Sequence, residues 1–266
     1  MKEPVRILSD LHLGHKLSRI ERVSALRPLI SGAATVVFNG DTWQQLAAPF
    51  HKRSASMLEE LKALCAEEGV EAVFLSGNHD PGWPGKGWVE LADGRIVITH
   101  GDALFFGGSP WKREVLTARR RLQEIWDRHP AAWHDPAVRL WVSREIASEL
   151  NSVEYPHGRH LLQRAFDAAM PPQRALWILA AWFTQDAVGS RFCERYFPKA
   201  EVLVIGHFHH HGCWLRNGRL IINTGSFIVL SRAHWVEWND GWLSRGEIDE
   251  SPDAYRIGRR LDIWHF

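Results

Sequence analysis

Five short polar blocks hold the residues that could do chemistry: SDLHLGH with Asp10 and His12, NGD ending at Asp41, SGNHD with Asn78, His79 and Asp80, THGD with His100, and IGHFHH with His207 and His209. Carboxylates, imidazoles and an amide without thiolate form the donor set of a divalent metal site. Two divalent ions about 3.5 to 4 Å apart can turn water into a nucleophile, and they need one oxygen ligand that bridges them. A carboxylate can bridge and an imidazole cannot. Asp41 is the expected bridge, because it ends a strand and Gly40 lets the backbone turn tightly before it. Asp10 and His12, two apart on an extended segment, suit one ion. His207 and His209 share that spacing, although a loop can splay alternate imidazoles onto different ions. Singly, each residue reads more simply as a cap, a turn residue or a hydrogen-bonded histidine. Their joint order argues for a site, and that order gives His210 and His211 no role.

The elements that must position these blocks are short, β-branched-rich apolar runs: Val5 to Ser9, Thr35 to Asn39, Ala72 to Ser76, Arg95 to Thr99 and Val202 to Ile205. Each is ended by Gly, Asp, Asn or His, which predicts buried strands. Continuous rather than alternating apolar character suits a sheet covered on both faces by helices, with ligands gathering beyond the carboxyl ends of the strands. Apolar residues three and four apart predict outer helices over Leu17 to Ile30 and Ser54 to Glu68. Asn217-Gly218 and Asn239-Asp240-Gly241 predict hairpin turns in a C-terminal antiparallel region.

The ordered set D-x-H, G-D, G-N-H-D, H-G-D and G-H-x-H, running from Asp10 to His209, resembles the calcineurin-like metallophosphoesterase superfamily. The resemblance implies an α/β fold, a four-layer α-β-β-α sandwich of two mixed sheets with the metals at one edge. It implies two divalent ions, one held by Asp10, His12, Asp41 and His209 and the other by Asp41, Asn78, His100 and His207. It makes His79 the proton donor to the leaving oxygen or a stabiliser of phosphoryl charge, with Asp80 orienting it. Water activated by both ions would attack phosphorus in line, without a covalent intermediate. The mixed His, Asn and Asp donors favour Mn, with Fe or Zn as alternatives.

At 266 residues, 45% hydrophobic and 24% charged, the chain can bury a full core and reads as one domain, 1–266, with an insertion. Net charge of +1 argues against nucleic acid as the partner. Cys65, Cys193 and Cys213 lack CxxC spacing, which points to a reducing compartment. The start MKEPVRILSD runs into the first strand without a secretion signal, so the expectation is a cytoplasmic protein, peripheral to the inner membrane if the substrate is a lipid.

Residues 103–200 form the long gap between the fourth and fifth blocks. Trp111 to His129, Pro136 to Asn151, His157 to Met170 and Gln173 to Val188 read as helices, separated by Pro and Gly signals, and are expected to form a cap over the site. Lys112, Arg113, Arg119 and Arg120 open this region beside tryptophans, and the chain carries 14 Trp in all. Trp with Arg suits lipid headgroups or stacked bases, so a phosphorylated small molecule or lipid is the expected substrate. Within the superfamily, the block spacing resembles the UDP-2,3-diacylglucosamine pyrophosphatases, which are peripheral, Mn-dependent and release UMP and a lipid monophosphate. Two departures stand out: His79 replaces the Arg of their G-N-R-D block, and ALFFGGSP follows H-G-D in place of an acidic stretch. A soluble nucleotide, cyclic phosphodiester or phosphoprotein substrate is the alternative. A nuclease conflicts with the near-neutral charge, and a non-enzymatic scaffold conflicts with the full set of ligands.

Overall fold

The computed structural model describes residues 1–109, 118–150, 172–251 and 253–266, with the backbone alone for 172–175. Two mixed sheets face each other. The first contains β1 (Val5–Leu8), β2 (Thr35–Asn39), β3 (Glu71–Leu75), β9 (His234–Asn239), β10 (Trp242–Ser251) and β11 (Ala254–His265) in the order β11-β10-β9-β1-β2-β3. The second contains β4 (Trp88–Leu91), β5 (Ile96–Thr99), β6 (Val202–Ile205), β7 (Gly212–Arg216) and β8 (Arg219–Asn223) in the order β4-β5-β6-β8-β7. β1, β2 and β3 run parallel, as do β5, β6 and β8, so both sheets send strand ends toward one edge.

The apolar runs are buried on two faces, and the two covers differ. Val5, Ile7, Val37, Ile96, Ile98 and Val204 fill the layer between the sheets. Leu8, Val36 and Phe38 turn outward onto α1 (Arg27–Ile30) and α2 (Ala48–Glu67), which supply Leu29, Ile30 and Leu61. Val97, Leu203, Ile205 and Ile221 turn outward from the second sheet against Ala181, Phe192 and Cys193 of α5 (Pro172–Tyr196). Alternate residues of one strand therefore serve two separate cores, and a sheet rather than a helix layer covers the inner face. The result is an α-β-β-α sandwich.

Asn217 and Gly218, both at positive φ, join β7 to β8, and Asp240 and Gly241 do the same for β9 and β10. The helix expected over Leu17 to Ile30 is confined to a 3-10 turn at Val23–Leu26 and to α1. Its first part pairs elsewhere: the Arg19 N–H donates to Phe227 O at 2.8 Å and the Val229 N–H to Leu17 O at 2.9 Å. Backbone groups committed to that partner cannot close helical turns.

Between β5 and β6 the described helices are α3 (Arg119–Arg128), α4 (Pro136–Glu149) and α5. The Asp135 carboxylate caps α4, accepting the N–H of Ala137 at 2.7 Å and of Val138 at 3.3 Å. α5 runs past the expected Val188 to Tyr196 because its apolar face continues onto β6, β7 and β8, and it forms the outer layer of the second sheet. The helix expected over His157 to Met170, and residues Trp111, Lys112 and Arg113, lie outside the described residues. Among the described residues no helix is long and apolar enough to cross a membrane.

Candidate metal centre

All five blocks meet at the edge where β1, β2, β3, β5 and β6 end. The loops after β1 and β2 are joined through their backbones: the Asp10 N–H donates to Gly40 O at 3.1 Å and the His12 N–H to Asp41 O at 2.9 Å. The next turn of chain comes from β6, where the His207 N–H donates to Asp10 Oδ2 at 3.0 Å. Asp10, His12, Asp41, His207 and His209 all have positive φ, between 48° and 67°. Non-glycine residues rarely hold this conformation, and such strain gathers at functional sites.

The side chains form two donor groups. Asp10, His12, Asp41 and His209 make one, Asp41, His100 and His207 the other, with the donor atoms of each group within 4.8 Å of one another. Asp41 belongs to both. His209 Nε2 lies 3.3 Å from Asp10 Oδ1, His12 Nε2 3.1 Å from His209 Nε2, and His100 Nε2 3.5 Å from Asp41 Oδ1. Donors around one ion at metal–ligand distances of about 2.0 to 2.2 Å lie at comparable separations. All are buried except His209, which is partly exposed.

Two buried atoms show that the site fits metal ions. Asn78 Oδ1 and His100 Nε2 have no hydrogen-bond partner. His100 lends its other nitrogen to the fold, with Nδ1 donating to Asn39 O at 3.0 Å, which leaves Nε2, 3.5 Å from Asp41 Oδ1, as the nitrogen a metal ion would take. Buried donors without partners are costly, and a bound cation satisfies them. The same groups are coupled through their charges. Burial alone would raise the Asp41 carboxyl, but His100 and His79 outweigh it and hold it well below its ordinary range. Burial works against a charged His100, and Asp41 with Asp10 overcomes this, so His100 is held well above its ordinary value. Burial holds His12 well below its own.

The blocks' glycines are required by close approach. A Cβ on Gly40, at φ +77°, would lie 2.5 Å from the His100 ring, and one on Gly206 would lie 2.1 Å from Asp10 Oδ2. Gly40→Ala is therefore expected to displace His100 or Asp41, costing at least about 1 kcal/mol from backbone strain alone and most of the metal content. Denaturant unfolding and metal analysis check this, and a variant with unchanged metal content would contradict the packing described.

Asp80 sits differently from the expectation. Its carboxylate accepts N–H bonds from Asp41 and Gly77 at 2.9 Å, from Thr42 at 2.8 Å, from Trp43 at 3.3 Å and from the Trp83 indole at 3.1 Å. It pins the Asp41 loop to the Asn78 loop. Burial, and next the charge of Asp41, push its carboxyl up to about 7, while the Trp83 and Gly77 donors act in the opposite sense. The His79 ring is held instead by Gln44: Nδ1 lies 2.9 Å from Gln44 Oε1, and Gln44 Nε2 lies 2.9 Å from His12 Nδ1. Gln44 is fully buried and links a candidate ligand to the candidate proton donor. Sequence reading missed it, and its one signal was a polar residue three after Asp41. His79 Nε2 lies 3.9 Å from Asp41 Oδ2.

Of the expected substrate residues, Arg119 and Arg120 are exposed on α3, and Arg120 pairs with Glu124 at 3.2 Å. Among the described residues neither makes a hydrogen bond or ion pair with the histidine cluster.

A family model described as calcineurin-like phosphoesterase matches residues 3–211. No curated protein matches the chain. Solved structures with similarity include a dimetal phosphatase from Danio rerio, 13% identical over 97% of this chain and 98% of that one, TM-score 0.47. A predicted phosphoesterase from Streptococcus pneumoniae TIGR4 is 15% identical over 98% of each chain, TM-score 0.39. Vps29 from Entamoeba histolytica complexed with Zn²⁺ is 16% identical over 97% of this chain and 98% of that one, TM-score 0.43. The sequence match covers well over half of the 266 residues, and the chain belongs to the calcineurin-like phosphoesterase family.

Proposed function

We propose that the protein is a binuclear metal-dependent phosphoesterase that hydrolyses a phosphodiester or pyrophosphate bond. The observation that carries this reading is the pair of buried donor groups meeting at Asp41. Asp10, His12, Asp41 and His209 would hold one ion; Asp41, Asn78, His100 and His207 would hold the other. Bound there, divalent ions supply an acidified water as nucleophile and neutralise phosphoryl charge, and Mn is the reading the mixed donors favour, ahead of Fe or Zn.

The chain's own part is to place one proton. A ligating His12 needs its lone pair on Nε2, which puts its ring proton on Nδ1, facing the Gln44 amide at 2.9 Å. Gln44 then turns its oxygen to His12 and its NH₂ to His79 Nδ1, the two amide orientations having the same shape. A His79 that accepts at Nδ1 carries its proton on Nε2, the nitrogen nearer Asp41. That proton is available to the leaving oxygen. Asp80 would act by fixing the Asp41 and Asn78 loops. Gln44→Leu is expected to lower kcat by about 10- to 100-fold, the usual cost of losing a residue that orients a ligand. Steady-state kinetics beside metal analysis check this, and an unchanged kcat would remove Gln44 from the account.

The finer reading is a lipid-linked pyrophosphate, UDP-2,3-diacylglucosamine, cut to UMP and a lipid monophosphate, with the 103–200 insertion contributing to the lipid site and the enzyme working in the cytoplasm at the membrane surface. Its support is exposed apolar surface on segments that also reach the cluster. On α5, Trp177 and Phe183 are exposed at 49% and 80%, and Trp182 donates to Phe208 O between His207 and His209 at 2.9 Å. Leu230 is fully exposed three residues after Phe227, whose N–H donates to Asp10 O at 3.1 Å. Exposed apolar side chains on such segments suit a substrate with acyl chains. The second reading, a soluble phosphodiester, is favoured by His79 itself. Mn-supported hydrolysis of a UDP-diacyl sugar beside soluble nucleotide and aryl diesters separates the two. Preference for the lipid with UMP released supports the first, and preference for soluble diesters overturns it while keeping the metal chemistry.

A further inference from the structure

A second concave site lies on the outer side of the second sheet, where α3 and α4 meet the end of α5. It is a cavity of about 290 Å³, lined by Phe106, Trp126 and Trp133 together with Arg139, Arg191 and Arg195, and among the described residues no carboxylate lines it. The rings form a near-parallel stair: Phe106 and Trp126 lie 4.7 Å apart at 9°, Trp126 and Trp133 4.4 Å apart at 29°. Trp126 is buried, whereas Phe106 and Trp133 remain 40% and 41% exposed.

Arg139 is the informative residue. It is 4% exposed and stacks over Trp126 at 4.5 Å, and its Nη2 donates to Phe105 O at 2.7 Å. Its Nη1 is buried with no hydrogen-bond partner. Burial pushes the Arg139 guanidinium down to about 10 against the opposing influence of Tyr196 and Asp102, and Asp102 itself accepts from Ser143 Oγ at 2.6 Å. An arginine stacked on tryptophan can be only a packing strut. That reading leaves the bare Nη1 unexplained, and a buried unsatisfied donor on a cation is costly. It also leaves Arg191 and Arg195 unexplained. Among the described residues neither makes an ion pair, although Arg121 and Arg128, on α3, both pair with Glu149. Arg195 lies 6.0 Å over the Trp133 ring, so cation and exposed aromatic surface sit together.

We propose that this cavity binds a nucleoside monophosphate or an equivalent aromatic phosphate monoester, with Arg139 Nη1, Arg191 and Arg195 receiving the phosphate and the base stacking on Trp133. Three guanidinium groups with no carboxylate beside them among the described residues suit a dianion, and their forked donors match phosphate oxygens. Every base has a π-face that can stack on an aromatic side chain, so Trp133 would take any nucleobase. A volume of about 290 Å³ falls at the lower end of ligand pockets and accommodates one base with one phosphate. The site is separate from the metal cluster and stands whether or not the proposed hydrolysis does.

The test is calorimetric titration of the full metal-loaded chain with AMP and UMP, and with adenosine, uridine and inorganic phosphate as single-feature probes. One saturable site is expected, with a monophosphate binding at least about tenfold tighter than its nucleoside or phosphate alone. Asp41→Asn should keep that binding, which separates it from phosphate held at the metal cluster. Arg191→Ala with Arg195→Ala, both at exposed positions, should weaken it at least about tenfold with metal content unchanged. Absence of saturable binding, equal affinity for bare phosphate, loss in Asp41→Asn or full affinity in the double arginine variant would each overturn the proposal.

Discussion

Asp41→Asn is expected to remove metal binding and hydrolysis together while leaving the fold in place. Asp41 is the residue common to both donor groups, with Oδ1 3.5 Å from His100 Nε2 and Oδ2 3.7 Å from His12 Nε2. An asparagine keeps the shape and can still accept the His79 N–H that now reaches Asp41 Oδ1 at 2.8 Å. It loses the charge and one lone-pair-bearing oxygen, so it cannot bridge. Losing the ions forfeits several kcal/mol of transition-state stabilisation, about a thousandfold or more in kcat/KM. Metal analysis and turnover of an aryl phosphodiester, with circular dichroism as the fold control, measure this. A variant with full metal content and full turnover would remove Asp41 from the centre of the site.

His79→Ala is expected to keep its metals and lose about 10²- to 10⁴-fold in turnover. The His79 ring is partly exposed, with its Nε2 3.9 Å from Asp41 Oδ2, and it belongs to neither donor group. A proton donor matters most when the leaving oxygen is basic. The loss should therefore be large for alkyl or sugar leaving groups and small for a nitrophenolate, which departs without a proton. Equal loss across leaving groups would assign His79 to charge stabilisation instead.

The blocks were legible because each ligand type followed an apolar run, and apolar runs with Gly, Asp or Asn at their ends are the strongest local signal a strand gives. The β7–β8 hairpin was legible for the same reason, since Asn217-Gly218 adopts positive φ easily. Pairing partners were not legible. β4 and β11 escaped notice because β4 is a four-residue edge strand with exposed Glu90 and β11 lacks the continuous apolar run that marks a buried strand, and their places depend on β5 and β10. The segment Leu17 to Arg22 has a helical apolar spacing, yet its backbone pairs with the Phe227–Val229 segment, a contact more than two hundred residues away in sequence that no local pattern announces. Gln44 is an ordinary polar residue until folding buries it between His12 and His79. Spacing gave α5 a helix but not its partner. Its apolar face completes the outer layer of the second sheet.

The most direct test of the binuclear centre is a titration of metal-stripped protein with Mn²⁺, following bound metal per chain and phosphodiester turnover on the same samples. Two ions per chain, with turnover absent without metal and rising as the second ion binds, is the result expected from two donor groups sharing Asp41. Turnover that persists in the stripped protein, or full turnover with no more than one ion bound, would contradict it.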